Sequence, residues 1–330
     1  GENPASCAFP VNLLEQSRNL LVVLAALAAG ASAWASPPGS PPGGIPPVPT
    51  PADVPTQGVT RSDEPVLVEG AAFADLLGRD LDEFGLFRWD PQSVSFVPIP
   101  FQIDERYDRT FNPDVPELTF VEKVYDVFGE EDGRLDQDDE LAFMYQDVGF
   151  KAPPEAPWPE WADPERYEIA VEDPRPGSGE TTRWVYLYTG PSPPRSDRTY
   201  VSWPVGNGAS IETELFALDY EGNWLMTGYR VLPPCGGGSD LIDRMKGRAR
   251  PLPNRTEDEE GWSGSSTFLG GIVGPVRAIR YVRGAQSGVN TMHHDIVYDS
   301  FWYRKVNLRV HPILDAWLYI DWLPQPDSRL

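Results

Sequence analysis

Val276-Arg277-Ala278-Ile279-Arg280-Tyr281-Val282-Arg283 and Trp302-Tyr303-Arg304-Lys305-Val306-Asn307-Leu308-Arg309-Val310-His311 change character residue by residue. Successive side chains of a strand point to opposite faces, so each stretch sorts into two sets. Arg277, Ile279, Tyr281 and Arg283 share one side of the first, opposite Val276, Ala278, Arg280 and Val282. In the second, Tyr303, Lys305, Asn307, Arg309 and His311 oppose Trp302, Arg304, Val306, Leu308 and Val310. A period of two makes both stretches strands.

The same texture extends outward. Residues 66–68, 93–103, 167–171, 184–188, 211–218, 224–231, 296–307 and 317–321 are short runs of strand character, bounded by Pro, Gly and Asp. Helix is expected only in pieces, at 73–77 and 241–246. Many short strands without alternating long helices predict an all-β, mainly antiparallel fold, a β-sandwich or supersandwich with few short helices.

The N-terminal part reads differently. Ser17 and Arg18 precede an apolar run from Leu20 to Ala29, and small residues follow to Ala35. That order predicts a signal peptide over 17–35, because the run is shorter than the ~20 apolar residues a bilayer span needs. Residues 1–16 then stand as a non-native extension upstream. Residues 36–62, dense in Pro and Gly, form a linker that cannot bury a core. The folded part divides at the Pro-rich stretch 190–194 into an N-terminal β-domain (63–190) and a C-terminal β-domain (191–330), the latter expected to be truncated. Two domains, or two halves of one large sandwich, fit this division equally.

A net charge of −23 argues against nucleic-acid binding, since phosphate backbones are gripped by Lys and Arg. Once the leader is removed Cys235 is the one cysteine left, so no internal disulfide is expected to staple the fold. The predicted location is the periplasm or the extracellular space, with no transmembrane segment after cleavage.

The acidic stretch from Asp126 to Glu140 contains Asp132-Gly133-Arg134-Leu135-Asp136-Gln137-Asp138-Asp139. It resembles the second half of a calcium loop of EF-hand or dockerin type, where carboxylates supply hard oxygen ligands and glycine permits a sharp turn. The resemblance implies a structural calcium held by Asp126, Asp132, Asp136 and Asp139. Phe128 stands where such a loop carries its first Asp, and a plain acidic turn is the competing interpretation.

Pro98-Ile99-Pro100-Phe101-Gln102-Ile103-Asp104-Glu105, Asp139-Glu140-Leu141-Ala142-Phe143 and Gly274-Pro275-Val276-Arg277 form a further set. Together they resemble a group of poorly characterised secreted bacterial proteins, some associated with polysaccharide use. The resemblance implies a sandwich or supersandwich and a carbohydrate connection; it brings no catalytic residues.

If the two strands first quoted join one sheet, Arg277, Tyr281, Arg283, Tyr303, Lys305, Arg309 and His311 gather into a cationic face. Arginine forks match carboxylates and tyrosine stacks on sugar rings, so the ligand expected there is an anionic polysaccharide or another cell-envelope component. The competing interpretation is a solvated sheet side whose cations pair with the plentiful Asp and Glu. His293-His294-Asp295 is expected in a turn between the strands. The function expected is non-catalytic binding of carbohydrate. The alternatives are a lyase-type enzyme on acidic glycans and a structural envelope protein.

Overall fold

The computed structural model describes residues 63–164, 166–172, 182–221, 224–233, 235–251, 266–284, 290–307 and 313–323; for 221, 244, 246–251, 313–319 and 321–322 the description covers the backbone alone. The extension, the signal peptide, the linker, Arg309 and His311 lie outside these residues. Residues 61–330 cluster as one compact unit.

In chain order the strands are β1 (Pro65–Glu69), β2 (Phe84–Asp90), β3 (Ser95–Pro98), β4 (Phe101–Asp104), β5 (Arg106–Phe111), β6 (Phe120–Tyr125), β7 (Glu140–Met144), β8 (Arg166–Glu172), β9 (Thr182–Thr189) and β10 (Val201–Ser202). They continue as β11 (Ile211–Thr213), β12 (Phe216–Glu221), β13 (Leu225–Val231), β14 (Ile242–Pro251), β15 (Thr267–Val273), β16 (Ala278–Arg283), β17 (Met292–Val297), β18 (Trp302–Asn307) and β19 (Ile313–Trp322). All the pairings among them are antiparallel. The fold is all-β, with sheets ordered β1-β7-β4, β3-β2-β9-β8, β5-β6, β10-β11-β12-β13, β15-β16-β17-β18 and β14-β19. Short 3-10 turns occur at Gly70–Leu76, Leu81–Glu83, Pro116–Leu118 and Tyr145–Asp147. No helix among the described residues is long and apolar enough to cross a membrane.

Alternation sorts the core into layers. On β9, Val185 and Leu187 enter one cluster, while Tyr186 and Tyr188 enter an aromatic cluster on the other side of the sheet. On β7, Leu141 and Phe143 join the Val185 cluster, and Ala142 and Met144 join a larger one with Tyr200, Ile211 and Tyr281. β7 is therefore buried on both faces and separates two cores, each side chain adding about 1.5–3 kcal/mol of burial if large. The larger cluster draws residues from both sides of the Pro-rich stretch at 190–194, Phe111 and Val124 as well as Trp224 and Val282, so the two halves meet in one core.

Several elements depart from the pattern read in the sequence, each for a local reason. The run 93–103 is two strands, because Pro98 and Pro100 flank a break at Ile99. The helix expected at 73–77 is the 3-10 turn Gly70–Leu76, whereas 241–246 is a strand edge: β14 pairs with β19. A register shift between Ile242 and Arg244 turns both Ile242 and Met245 inward, and that three-residue spacing imitates a helix. His293-His294-Asp295 is not a turn but the middle of β17, buried between β16 and β18. The turn falls later, where the Tyr298 N–H donates to Phe301 O at 2.9 Å.

Candidate functional site

The β15–β18 sheet joins β16 and β18 through β17, and its register places the quoted residues in rows. Tyr281 stands opposite His294 and that opposite Lys305; Arg283, Met292 and Asn307 form the next row, and Ile279, Ile296 and Tyr303 the one before. Arg277, Tyr281, Arg283, Tyr303 and Lys305 thus share a face, as their alternation predicts. That face is covered, however. Arg277 and Tyr281 are fully buried and Arg283 is half-buried, while Tyr303 and Lys305 are exposed on the edge strand β18.

What covers it comes from the stretches quoted with it. Arg277 Nε and Nη2 donate to Asp104 Oδ2 at 2.9 and 2.7 Å, Nη2 also to Glu140 Oε1 at 2.6 Å, and Nη1 to the Tyr298 hydroxyl at 2.9 Å. The Tyr125 hydroxyl donates to Glu140 Oε1 at 2.8 Å and Arg106 Nη1 to Glu140 Oε2 at 3.1 Å. Gln102 donates to both Asp104 oxygens and accepts the Val276 and Arg277 N–H groups at 3.0 and 2.9 Å. Gly274 lacks a side chain because a Cβ there would press into the Gln102 carboxamide. Phe101-Gln102-Ile103-Asp104, Asp139-Glu140 and Gly274-Pro275-Val276-Arg277 therefore converge on one buried ionic knot. Burial would push Glu140 up, but Arg277, Tyr125 and Arg106 hold it below the usual carboxylate range.

Other side chains of the face also lie against polar partners. The Tyr281 hydroxyl accepts the Tyr125 N–H at 3.2 Å, and its ring packs 4.0 Å from that of His294. His294 Nε2 lies 3.1 Å from Glu122 Oε1, and Arg283 Nη2 donates to Asn290 Oδ1 at 2.8 Å. Burial lowers His294, with Glu122 opposing.

The opposite face has a different balance. Arg280, Asp295 and Arg304 are direct cross-strand partners on β16, β17 and β18. Arg304 donates Nε and Nη2 to the two Asp295 oxygens at 2.6 and 2.8 Å, a bidentate pair with both side chains buried. Arg280, also fully buried, lies 3.8 Å from Asp295 Oδ2 through Nη1. His293 stacks on Trp224 at 5.4 Å, and burial pushes it down to about 3, so it is neutral at pH 7. Two guanidinium groups thus share one carboxylate. The sequence carried a signal of this: Arg280 and Arg304 each interrupt an otherwise apolar strand face.

The acidic stretch folds as a capped turn. Asp126 accepts the Glu130 and Glu131 N–H groups at 2.9 and 3.1 Å, and Asp132 that of Arg134 at 3.1 Å. Asp139 accepts the Asp136 and Arg106 N–H groups at 2.6 and 3.0 Å, and Glu105 accepts that of Gly133, whose φ of +76° suits glycine. Leu135 anchors the turn in the core. Burial pushes Asp139 up to about 6 and, with its acidic neighbours, raises Glu105. Among the described residues no three His, Cys, Asp or Glu side chains are placed to hold a metal ion. Side-chain oxygens of Asp126, Asp132 and Asp139 hold backbone N–H groups.

A surface feature without a sequence signal lies outside the β3-β2-β9-β8 sheet. Phe150 and Trp158 are 48% and 40% exposed; Trp158 packs edge-on against Tyr188 at 5.7 Å, and Phe150 bridges to Trp89. Arg166 lies 4.9 Å over the Trp158 ring, Arg183 5.0 Å over Phe150 and Lys151 4.3 Å over Trp184. Lys151, Arg166 and Glu168 line a shallow depression beside them. Comparison of the chain with protein-family models, curated proteins and solved structures finds no match.

Proposed function

We propose that this chain is an exported, non-catalytic protein that binds an acidic glycan at the aromatic surface around Trp158. The observation that carries the proposal is an exposed Trp158 ring paired with Arg166, which with Lys151 lines an open depression. Sugar rings offer C–H groups to aromatic faces, and their hydroxyls and carboxylates seek charged partners at the edge. The cationic strand face does not serve here, because Arg277 and Tyr281 are engaged inside the protein. Export rests on the pattern of residues 17–35.

The test is retention of the chain on immobilised uronate-rich and neutral polysaccharides over a salt series. Salt-sensitive retention on the uronate polymers is expected, weakened about ten-fold by Trp158→Ala. Released fragments would make the protein an enzyme, and retention equal in wild type and variant would remove Trp158 from the site. A purely structural envelope role is the second reading, favoured by the convergence of three motif stretches on buried Arg277.

A further inference from the structure

Arg280 is a buried cation with no counter-ion of its own. Asp295, the carboxylate it faces, already accepts from Arg304 with both oxygens. Nε and Nη1 of Arg280 find no hydrogen-bond acceptor among the described residues. Nη2 donates to the main-chain O and side-chain Oδ1 of Asn207 at 3.1 and 3.2 Å, two neutral acceptors. The guanidinium plane is held between Tyr220 and Phe268, 4.2 and 5.1 Å from the ring centroids. Burying a charge in this state is costly, and the structure must recover that cost elsewhere.

Asn207 links buried Arg280 to the surface. It is exposed, in the connection between β10 and β11, flanked by Gly206 and Gly208. Val205 of the same loop is 40% exposed and holds a φ of +21°, a conformation that β-branched residues rarely adopt. A glycine-flanked loop that stores strain at Val205 is suited to move.

We propose that Arg280 anchors a carboxylate-binding site that the Asn207 loop closes. When the loop lifts, Nη2 is released beside Nε on the same edge of the guanidinium, and the two N–H groups form the parallel fork that a carboxylate accepts. The flanking rings favour a flat group in that plane. A carboxylate brings a single negative charge, which equals the excess left when Arg280 and Arg304 share Asp295, whereas a dianion would overshoot it. Burial lowers Arg280 while Asp295 and Tyr220 oppose, in keeping with a cation short of partners. The inference is independent of the Trp158 surface, which lies on a different sheet.

The experiment is thermal denaturation of the full chain at fixed ionic strength in chloride, acetate, glucuronate, inorganic phosphate or glucose. Acetate and glucuronate are expected to raise the Tm over chloride, with glucose and phosphate showing no rise. Asn207→Ala removes a competing acceptor, so it is expected to tighten glucuronate binding about five-fold. Arg280→Met, which keeps the length of the side chain, is expected to erase the carboxylate-dependent shift. The proposal is overturned if neither wild type nor Asn207→Ala responds to carboxylates, if phosphate matches them, or if Arg280→Met keeps the full shift. Should Arg280→Met not fold, the Asn207→Ala series decides alone.

Discussion

The two faces of the β15–β18 sheet carry buried arginines three residues apart in sequence, and they are held in opposite ways. Arg277 meets Asp104, Glu140 and the Tyr298 hydroxyl, each within hydrogen-bonding distance. Arg280 shares one carboxylate with Arg304 and leaves two nitrogens unmatched. Burial is the same for both, at 0% exposure. What separates an arginine that fastens a fold from one that awaits a ligand is the number of anions around it, not its depth.

The strongest test of that contrast replaces each arginine by a side chain of similar length. Arg277→Met strands Asp104 as a buried, uncompensated carboxylate and leaves Glu140 to Arg106 and Tyr125, and is expected to cost about 3–5 kcal/mol in urea unfolding. Arg280→Met removes an excess charge and leaves the Asp295–Arg304 pair intact, so it is expected to be neutral or stabilising by up to about 2 kcal/mol. Equal losses for the two variants would erase the distinction.

The adjacent histidines sharpen it. His293 lies on the Arg280 side and is pushed down to about 3 by burial, with Arg304 adding to the effect. Between its ordinary value and about 3 the unfolded chain therefore binds a proton that the folded chain does not. Stability from this group is present above the ordinary histidine range and is lost as pH falls, by about 1.4 kcal/mol per pH unit. Asp139 and Asp299, raised to about 6 by burial, act the other way, adding stability as pH falls through that value. The histidine is thus read as a difference: wild type minus His293→Phe, which keeps the stack on Trp224, should fall with that slope below pH 6.5. A flat difference would show that the Arg280 face tolerates further positive charge.

The smallest effect concerns how the Arg277 side is fitted together. Gly274→Ala pushes a methyl group into the Gln102 carboxamide that accepts the Val276 and Arg277 N–H groups. A loss of about 1–3 kcal/mol in the same urea assay is expected.

Much of this arrangement is legible in the alternation of 276–283 and 302–307, which sorts Arg277, Tyr281 and Arg283 from Arg280 and aligns them with Tyr303 and Lys305. Which face meets water is not, because the cover arrives from β4, β6 and β7, more than 130 residues away along the chain for the Arg277–Glu140 contact, where the separation is 137. β17 was hidden for a related reason. His293, His294 and Asp295 look like surface until Arg304, Trp224 and Glu122 are placed beside them. The acidic stretch is ambiguous in the sequence, since a carboxylate that ligates a cation and one that caps a backbone N–H have the same spacing until Arg106 and Gly133 are in position. The aromatic surface around Trp158 depends on a Pro-rich loop with no period to read.

The separation of Glu140 from Arg277 also has a consequence in time. A ribosome releases the chain N-terminus first, at about 5–20 residues per second, so these 137 positions take on the order of 10 s. During that interval β1, β4 and β7 can pair and Arg106 can meet Glu140, yet Asp104 still lacks the Arg277 cation that it is buried with. Closure of the layer around Asp104 is thereby deferred until the last third of the polypeptide has emerged, and the nascent chain remains open there for as long as that carboxylate waits.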